Sequence, residues 1–402
     1  MTQYIYNKVW LKVRGLVPFC LLVLSLFSCR TDDIIVYMED EDTGVEATIG
    51  EVIGMYVLCE GNMGSNKCTL DYLDLSGQDA TIHYLRNIYA ERNPNEVKEL
   101  GDVGNDIKVY GSQLWMVINC SNKVEVCTAD SAFSLGHVDI PNCRFLAFDG
   151  GYAYVSSYVG EVGKNSVLGS VYKVDTLTLS VVGRCTVGYQ PEEMAVVDGK
   201  LYVANSGGYQ PLMSPSQPYD RTVSVIDLQT FTEERRIDVA PNLHRLRSDR
   251  YGQLWVSSRG DYTSEYPSRL YLLAKSADGQ MQKADSIDVP VSDMALRGDS
   301  LCFVGVSYDN QWNPRASFGI ISCKIRRLTA DKLVNDASQV ETAYGLMVHP
   351  VTGDVYVMDA TNYVSSGWLF CFDAKGNFKW KTSTGDIPGH ACFLKYEKKI
   401  KK

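Results

Sequence analysis

The chain has 402 residues, 45% hydrophobic and 22% charged, which is too apolar for a disordered polypeptide and sufficient for a large core. Acidic residues outnumber basic ones, 48 to 39, giving a formal charge of −9. That balance argues against nucleic acid as a partner, because phosphate backbones are held by an excess of Lys and Arg. Twenty-five tyrosines and 33 glycines suit an all-β protein with many turns.

The first segment in chain order is a targeting signal. Lys8, Lys12 and Arg14 precede an apolar run from Leu16 to Phe27 that is too short to span a bilayer. The run ends in Leu26-Phe27-Ser28-Cys29, which resembles a bacterial lipobox. On that reading residues 1–28 are a lipoprotein signal peptide and Cys29 is the lipidated residue; the alternative is a plain secretory signal with a chance cysteine. Arg30-Thr31-Asp32-Asp33 resembles the acidic export tag of Bacteroidetes surface lipoproteins. Residues 29–50 then form an acidic, solvated tether, and the expected location is the outer membrane, lipid-anchored and facing the cell exterior. Cleavage removes three basic and no acidic residues and takes the charge to −12. No later segment is long and apolar enough to cross a membrane, so membrane contact is expected through the anchor only.

From residue 51 onward one pattern recurs. A strand with an aromatic or apolar centre appears as Met55-Tyr56-Val57, Leu114-Trp115-Met116, Ala153-Tyr154-Val155, Leu201-Tyr202-Val203, Leu254-Trp255-Val256, Leu301-Cys302-Phe303 and Val355-Tyr356-Val357. The spacing averages roughly 50 residues, the period of a propeller blade rather than a helical solenoid. Each copy follows a short strand and a Gly turn, as in "EEMAVVDG", and precedes a strand and polar turn, as in "TVSVIDLQT". Period-2 alternation dominates and no helix is predicted. The first copy lacks its upstream strand, and "GHACFLKY" at the C-terminus is a first strand with nothing after it. The prediction is an all-β, seven-bladed β-propeller over residues 51–398, its first blade closed by the C-terminal strand. Ten cysteines remain beyond Cys20 and Cys29, with no CxxC; most fall in strand patterns, and Cys59 and Cys68 flank one loop where they could pair.

In such a ring the loops after each second strand and the starts of each first strand share one face. The loops here are rich in Asn, Ser, Arg, Tyr and Trp, which supply paired donors and acceptors and stacking planes. Candidate ligand-binding residues are Asn62, Asn119, Arg144, Tyr158, Asn205, Tyr209, Arg245, Arg259, Tyr262, Tyr308, Trp312, Asn362 and Tyr363. Asp106, Arg144, Glu193, His244-Arg245, Asp293, Tyr344 and His390 begin first strands and are expected to ring the channel mouth. Such ring charges can also simply pair with their neighbours. His83, His137 and His349 fall on outer strands or lower turns and read as structural. No Gly-x-Ser-x-Gly, HExxH, EF-hand or P-loop motif is present, so no catalytic residue is assigned. A metal-dependent hydrolase would need Asp106, Glu193, Asp293 and Asn105 to converge on the channel.

The stretches "YVANSGGY", "DRTVSVIDLQT", "GYQPEEM", "NLHRLRSDRYGQLWVSSRGDY", "VPVSDM" and "TGDIPGHACF" resemble the YncE-like seven-bladed propellers of Bacteroidetes, and more narrowly the BtuG-type surface cobalamin-binding lipoproteins. The similarity spans about Glu51 to Tyr396. It implies a non-enzymatic lipoprotein that takes a corrinoid such as cobalamin as ligand, with no cofactor, and passes it to a TonB-dependent outer-membrane transporter. Arg245 or Arg259 would then meet the nucleotide phosphate. The alternatives are a propeller for a glycan or peptide, and the channel-metal hydrolase.

Overall fold

Each repeat folds as one antiparallel sheet, and the sheets close into a ring. The computed structural model describes residues 40–42, 52–77, 83–96, 99–163, 165–209, 218–262, 265–308 and 314–395. Residues 1–28, Cys29 and Trp312 lie outside them, and Tyr308 is described by its backbone alone. In blade 2, Gly104–Tyr110, Gln113–Ile118, Lys123–Thr128 and Ser134–Asp139 lie side by side in that order. Blades 3 to 7 repeat the arrangement, with innermost strands Cys143–Asp149, Pro191–Val197, Leu243–Ser248, Asp293–Arg297 and Ala343–Val348.

The innermost strand of blade 1 is Pro388–Lys395, antiparallel to Val52–Cys59, with Cys392 opposite Tyr56 and His390 opposite Leu58. It packs between Ala343–Val348 and Gly104–Tyr110, so the C-terminal strand closes the ring as the sequence predicts. Closure hides the inner edges that an open array would present. Two features depart from expectation. A five-residue helix, Ile88–Arg92, stands where none was predicted, tucking Ile88 and Tyr89 into the layer between blades 1 and 2. Within the stretch read as a solvated tether, Asp40–Asp42 adds to the outer strand His83–Leu85 as a fifth strand of blade 1.

The core lies between blades, not within one central mass. Seven apolar clusters occur among the described residues, one at each junction of neighbouring blades. The repeated second-strand aromatic fills these layers: Tyr56, Trp115, Tyr154, Tyr202, Trp255 and Tyr356 are each at most 5% exposed. Burial of such a side chain is worth about 1.5–3 kcal/mol, provided its polar end is satisfied. Trp255 Nε1 donates to Asp249 Oδ2 at 2.9 Å and the Tyr56 hydroxyl to Ala129 O at 2.9 Å. The ten described cysteines are all free, and all but Cys120 are buried; Cys59 donates to the Asp71 carboxylate at 3.5 Å instead of pairing with Cys68. His83 and His137 lie on outer strands. His349 Nδ1 accepts the N–H groups of Val351 and Thr352, and so builds a turn.

Candidate functional site

The axial channel is interrupted at one layer. Phe145, on the innermost strand of blade 3, meets the ring edges of His244 from blade 5 and His390 from blade 1, at centroid distances of 6.0 and 6.3 Å. The Arg245 guanidinium lies 5.4 Å from the same ring and that of Arg144 5.9 Å away. Phe145 is held there by its own N–H, which donates to Ser156 Oγ at 3.0 Å in the neighbouring strand. Two cavities meet at this layer, both walled by Arg245 and His390.

The smaller cavity, about 640 Å³, holds the channel's buried ions. Asp106, Glu193 and Asp293 do not ring the mouth as the sequence suggests. They occupy equivalent places in blades 2, 4 and 6, and each accepts an N–H from the next blade: Leu146 at 2.8 Å, Leu246 at 2.9 Å and Leu346 at 2.8 Å. Cations meet them too: Lys108 stands 3.4 Å from the same oxygen of Asp106, while Arg245 at 3.2 Å and Arg247 meet the second oxygens of Asp293 and Glu193. These carboxylates staple blades in pairs. Asn105 is turned away from them, its Nδ2 donating to Arg144 O at 3.0 Å. Among the described residues no group of three His, Cys, Asp or Glu is placed to hold a metal, so the ligand set of the hydrolase alternative is not assembled.

The larger cavity, about 1300 Å³, is the mouth on the predicted face. Asn119, Arg144, Tyr158, Tyr209, Arg245, Arg259, Tyr262 and Tyr363 line it, as do His244, Tyr344 and His390. Of the candidates whose side chains are described, three do not. Asn205 is 0% exposed and turned into blade 4, where its Nδ2 donates to Thr222 Oγ1 and Ser224 Oγ at 3.0 and 2.9 Å. Asn62 ties its loop to blade 7 by donating to Val364 O, and Asn362 accepts from Val364 N and Ser365 N to shape its own turn. Asn119 lines the mouth yet also clamps blades 2 and 3, donating to Asn142 Oδ1 and Cys143 O at 2.8 Å each. The tyrosines are graded in exposure: Tyr158 is buried, Tyr209 and Tyr363 are partly open, and Tyr262 at the rim is 70% exposed. Loop glycines permit the sharp turns. Gly207 has φ +54° and sits against the backbone of Asp220, where a Cβ would collide.

A buried carboxylate that sequence reasoning passed over organises one wall. Glu192 accepts from Tyr158 Oη at 2.6 Å, Arg144 Nη2 at 3.3 Å and Ser206 Oγ at 3.4 Å, with Arg259 Nη1 at 3.8 Å. Burial and this carboxylate push the Tyr158 phenol well above its ordinary range. Opposite, His390 Nε2 pairs with Glu60 Oε1 at 3.1 Å. Burial and the same Glu60 raise Tyr344. Phe145 was equally illegible, because it sits in an ordinary alternating strand; the neighbouring Glu192-Glu193 pair was a signal, since adjacent strand residues point to opposite faces.

His244 makes no hydrogen bond from its ring among the described residues. Burial, then the guanidiniums of Arg259, Arg245 and Arg144, hold it neutral well below the ordinary 6.5. The folded protein thus refuses a proton that the unfolded chain accepts. Stability attributed to His244 is complete above pH 6.5 and is lost as pH falls below it. Urea midpoints measured across this range should fall on acidification, and the slope should be shallower in His244→Asn. Residual slope is expected from His349, whose pKa is also lowered by burial.

No family model matches the chain, and no curated protein matches it. Solved structures do match in fold. A quinonprotein alcohol dehydrogenase-like protein from Bacteroides thetaiotaomicron aligns with a TM-score of 0.58 at 11% identity, over 85% of this chain and 78% of that one. A functionally unknown protein from Desulfotomaculum acetoxidans gives 0.59 at 9% identity, over 86% and 99%. The hydrazine synthase of Kuenenia stuttgartiensis gives 0.58 at 14%, over 71% and 88%. At these identities the likeness shows the propeller fold alone.

Proposed function

We propose that the protein is a non-catalytic surface receptor whose mouth captures a corrinoid, cobalamin or a near relative, and hands it to a TonB-dependent outer-membrane transporter. The mouth itself carries the reading. Its volume of about 1300 Å³ exceeds the roughly 300–1,000 Å³ of ordinary small-molecule pockets, which favours a large ligand. Its wall combines tyrosine faces with amides that are only half engaged. Asn105 donates through Nδ2 and Asn122 accepts through Oδ1, leaving Asn105 Oδ1 and Asn122 Nδ2 without hydrogen bonds among the described residues. A corrinoid is a broad rigid disc fringed with amides, and it complements both kinds of surface. Many modest contacts on a pre-organised ring give affinity without large ordering costs. The lipobox at Cys29 and the BtuG-type resemblance supply the anchor, the cell exterior and the transporter.

Calorimetry of the full chain in detergent with cyanocobalamin and cobinamide tests the proposal. Saturable binding is expected, and Tyr209→Ala should weaken it about tenfold, as loss of one aromatic anchor does. Asn205→Ala should leave affinity unchanged and lower the melting temperature, because that amide works inside blade 4. Absence of heat and of co-elution with either corrinoid overturns the reading, and a glycan-array hit would replace it.

A further inference from the structure

Five histidines occur in the chain, and four of them are engaged. His349 builds a turn, His390 pairs with Glu60 at 3.1 Å, His137 faces Asp139 at 3.5 Å, and His83 on its outer strand has contacts of its own. His244 is the exception. Its ring meets Phe145 at 6.0 Å and lines the mouth, and neither ring nitrogen makes a hydrogen bond among the described residues. An imidazole so placed forgoes two hydrogen bonds, one at its N–H and one at its lone pair, and folded proteins seldom leave such groups idle. The neighbours explain why nothing claims it. Arg144 is paired with Glu192 at 3.3 Å and Arg245 with Asp293 at 3.2 Å, while Arg259 leans toward Glu192 at 3.8 Å. All three are donors only, so none can accept the His244 N–H. Burial and these guanidiniums also keep a proton off the ring. The floor of the mouth therefore presents a neutral imidazole with a free lone pair, the form in which histidine binds metals.

We infer that His244 is an axial ligand for the cobalt ion of a bound corrinoid, taking the place of an exchangeable water. This rests on the corrinoid reading of the mouth and adds the bond by which the metal is held. In the exchange a His244 nitrogen gives its lone pair to Co(III), the cobalt–water bond breaks, and the water leaves. The metal keeps its oxidation state and no proton moves. A ring that is already neutral has no proton to lose before the bond forms, which spares the usual cost of metal binding by histidine. The corrin disc then lies across the channel with one face to the floor, and its amide fringe meets the wall. Two other donors line the mouth, and neither is as ready. His390 Nε2 is engaged by Glu60, and Cys120 is a thiol that burial pushes above its ordinary range, whereas the thiolate is the ligand form.

The test compares aquocobalamin, whose upper axial water exchanges, with cyanocobalamin, whose cyanide does not, on the full chain in detergent. Mixing with aquocobalamin should move the visible bands of the corrinoid to longer wavelength, the signature of nitrogen replacing oxygen on cobalt. Cyanocobalamin should bind without that shift. His244→Ala, and His244→Gln with the bulk of the ring largely kept, should abolish the shift. Each should cost aquocobalamin at least about tenfold more affinity than cyanocobalamin, the order of loss when a metal site is disturbed. His137→Asn, on an outer strand, should keep the shift. A shift that survives both His244 variants, or aquocobalamin bound with no shift at all, overturns the coordination and leaves the proposed function standing. Failure of both corrinoids to bind overturns the proposed function and the coordination with it.

Discussion

Removing residues 388–402 should leave no folded propeller. The loss exceeds that of one edge strand, because Pro388–Lys395 is the inner strand of blade 1 and belongs to two interfaces at once. Cys392 and Leu394 face the layer between blades 1 and 2, while Ala391 and Phe393 face the layer between blades 7 and 1. Without it Val52–Cys59 presents its full ladder edge, with six of its eight residues hydrophobic and buried in the intact ring. The Glu60–His390 pair goes as well. The Asp71 latch cannot substitute. Its carboxylate accepts from Tyr84 Oη, Asn87 N and Gly385 N, and so holds blade 1 to the end of blade 7 through outer elements alone. Thermal unfolding followed by circular dichroism should lose its cooperative transition, and gel filtration should show aggregate. A truncated chain that stays monomeric and melts cooperatively would mean the ring closes without its C-terminal strand.

The second large effect is expected at Asp293. Its carboxylate and the Arg245 guanidinium are both more than nine-tenths buried, 3.2 Å apart, and its other oxygen accepts Leu346 N at 2.8 Å. Asp293→Ala strands a buried cation and a buried N–H together. Breaking a buried pair from one side costs about 3–5 kcal/mol, and the orphaned N–H adds about 1–3 kcal/mol. Asp293→Asn retains an acceptor for Leu346 and should cost less. Combining Asp293→Asn with Arg245→Met should recover part of the loss, since removing both charges avoids the uncompensated one. Denaturant midpoints of the four proteins decide the matter. Equal midpoints for wild type and Asp293→Ala would show that the staple contributes nothing and that blade packing alone sets stability.

The two positions in the stretch Asn205-Ser206-Gly207-Gly208-Tyr209 show how far the sequence reaches into the site. Both residues sit in the same loop copy, and residue type alone gives each the same weight. The structure sends Tyr209 into the mouth and Asn205 into blade 4, because Asn205 is still the last residue of the strand Lys200–Asn205 and the chain turns only after it. The same difficulty governs Asp106, Glu193 and Asp293. Their place at the head of an inner strand was legible; the neighbour whose N–H each would accept was not, since that neighbour lies in the next blade.

What the sequence determined by itself is the repeat: a buried aromatic strand in nearly every copy, the displaced first strand at the C-terminus, and the face on which polar loops gather. These follow from period and composition, which are local properties of the chain. The tertiary structure alone decided which side chains share the axis. Phe145, His244 and His390 belong to blades 3, 5 and 1, and only closure of the ring brings them within 6.0 and 6.3 Å. Likewise Glu192 becomes the shared partner of Arg144 and Arg259 only when blades 3, 4 and 5 are set side by side. A strand's own sequence fixes the alternation of its faces, whereas what each face meets depends on the twist and spacing of its neighbours.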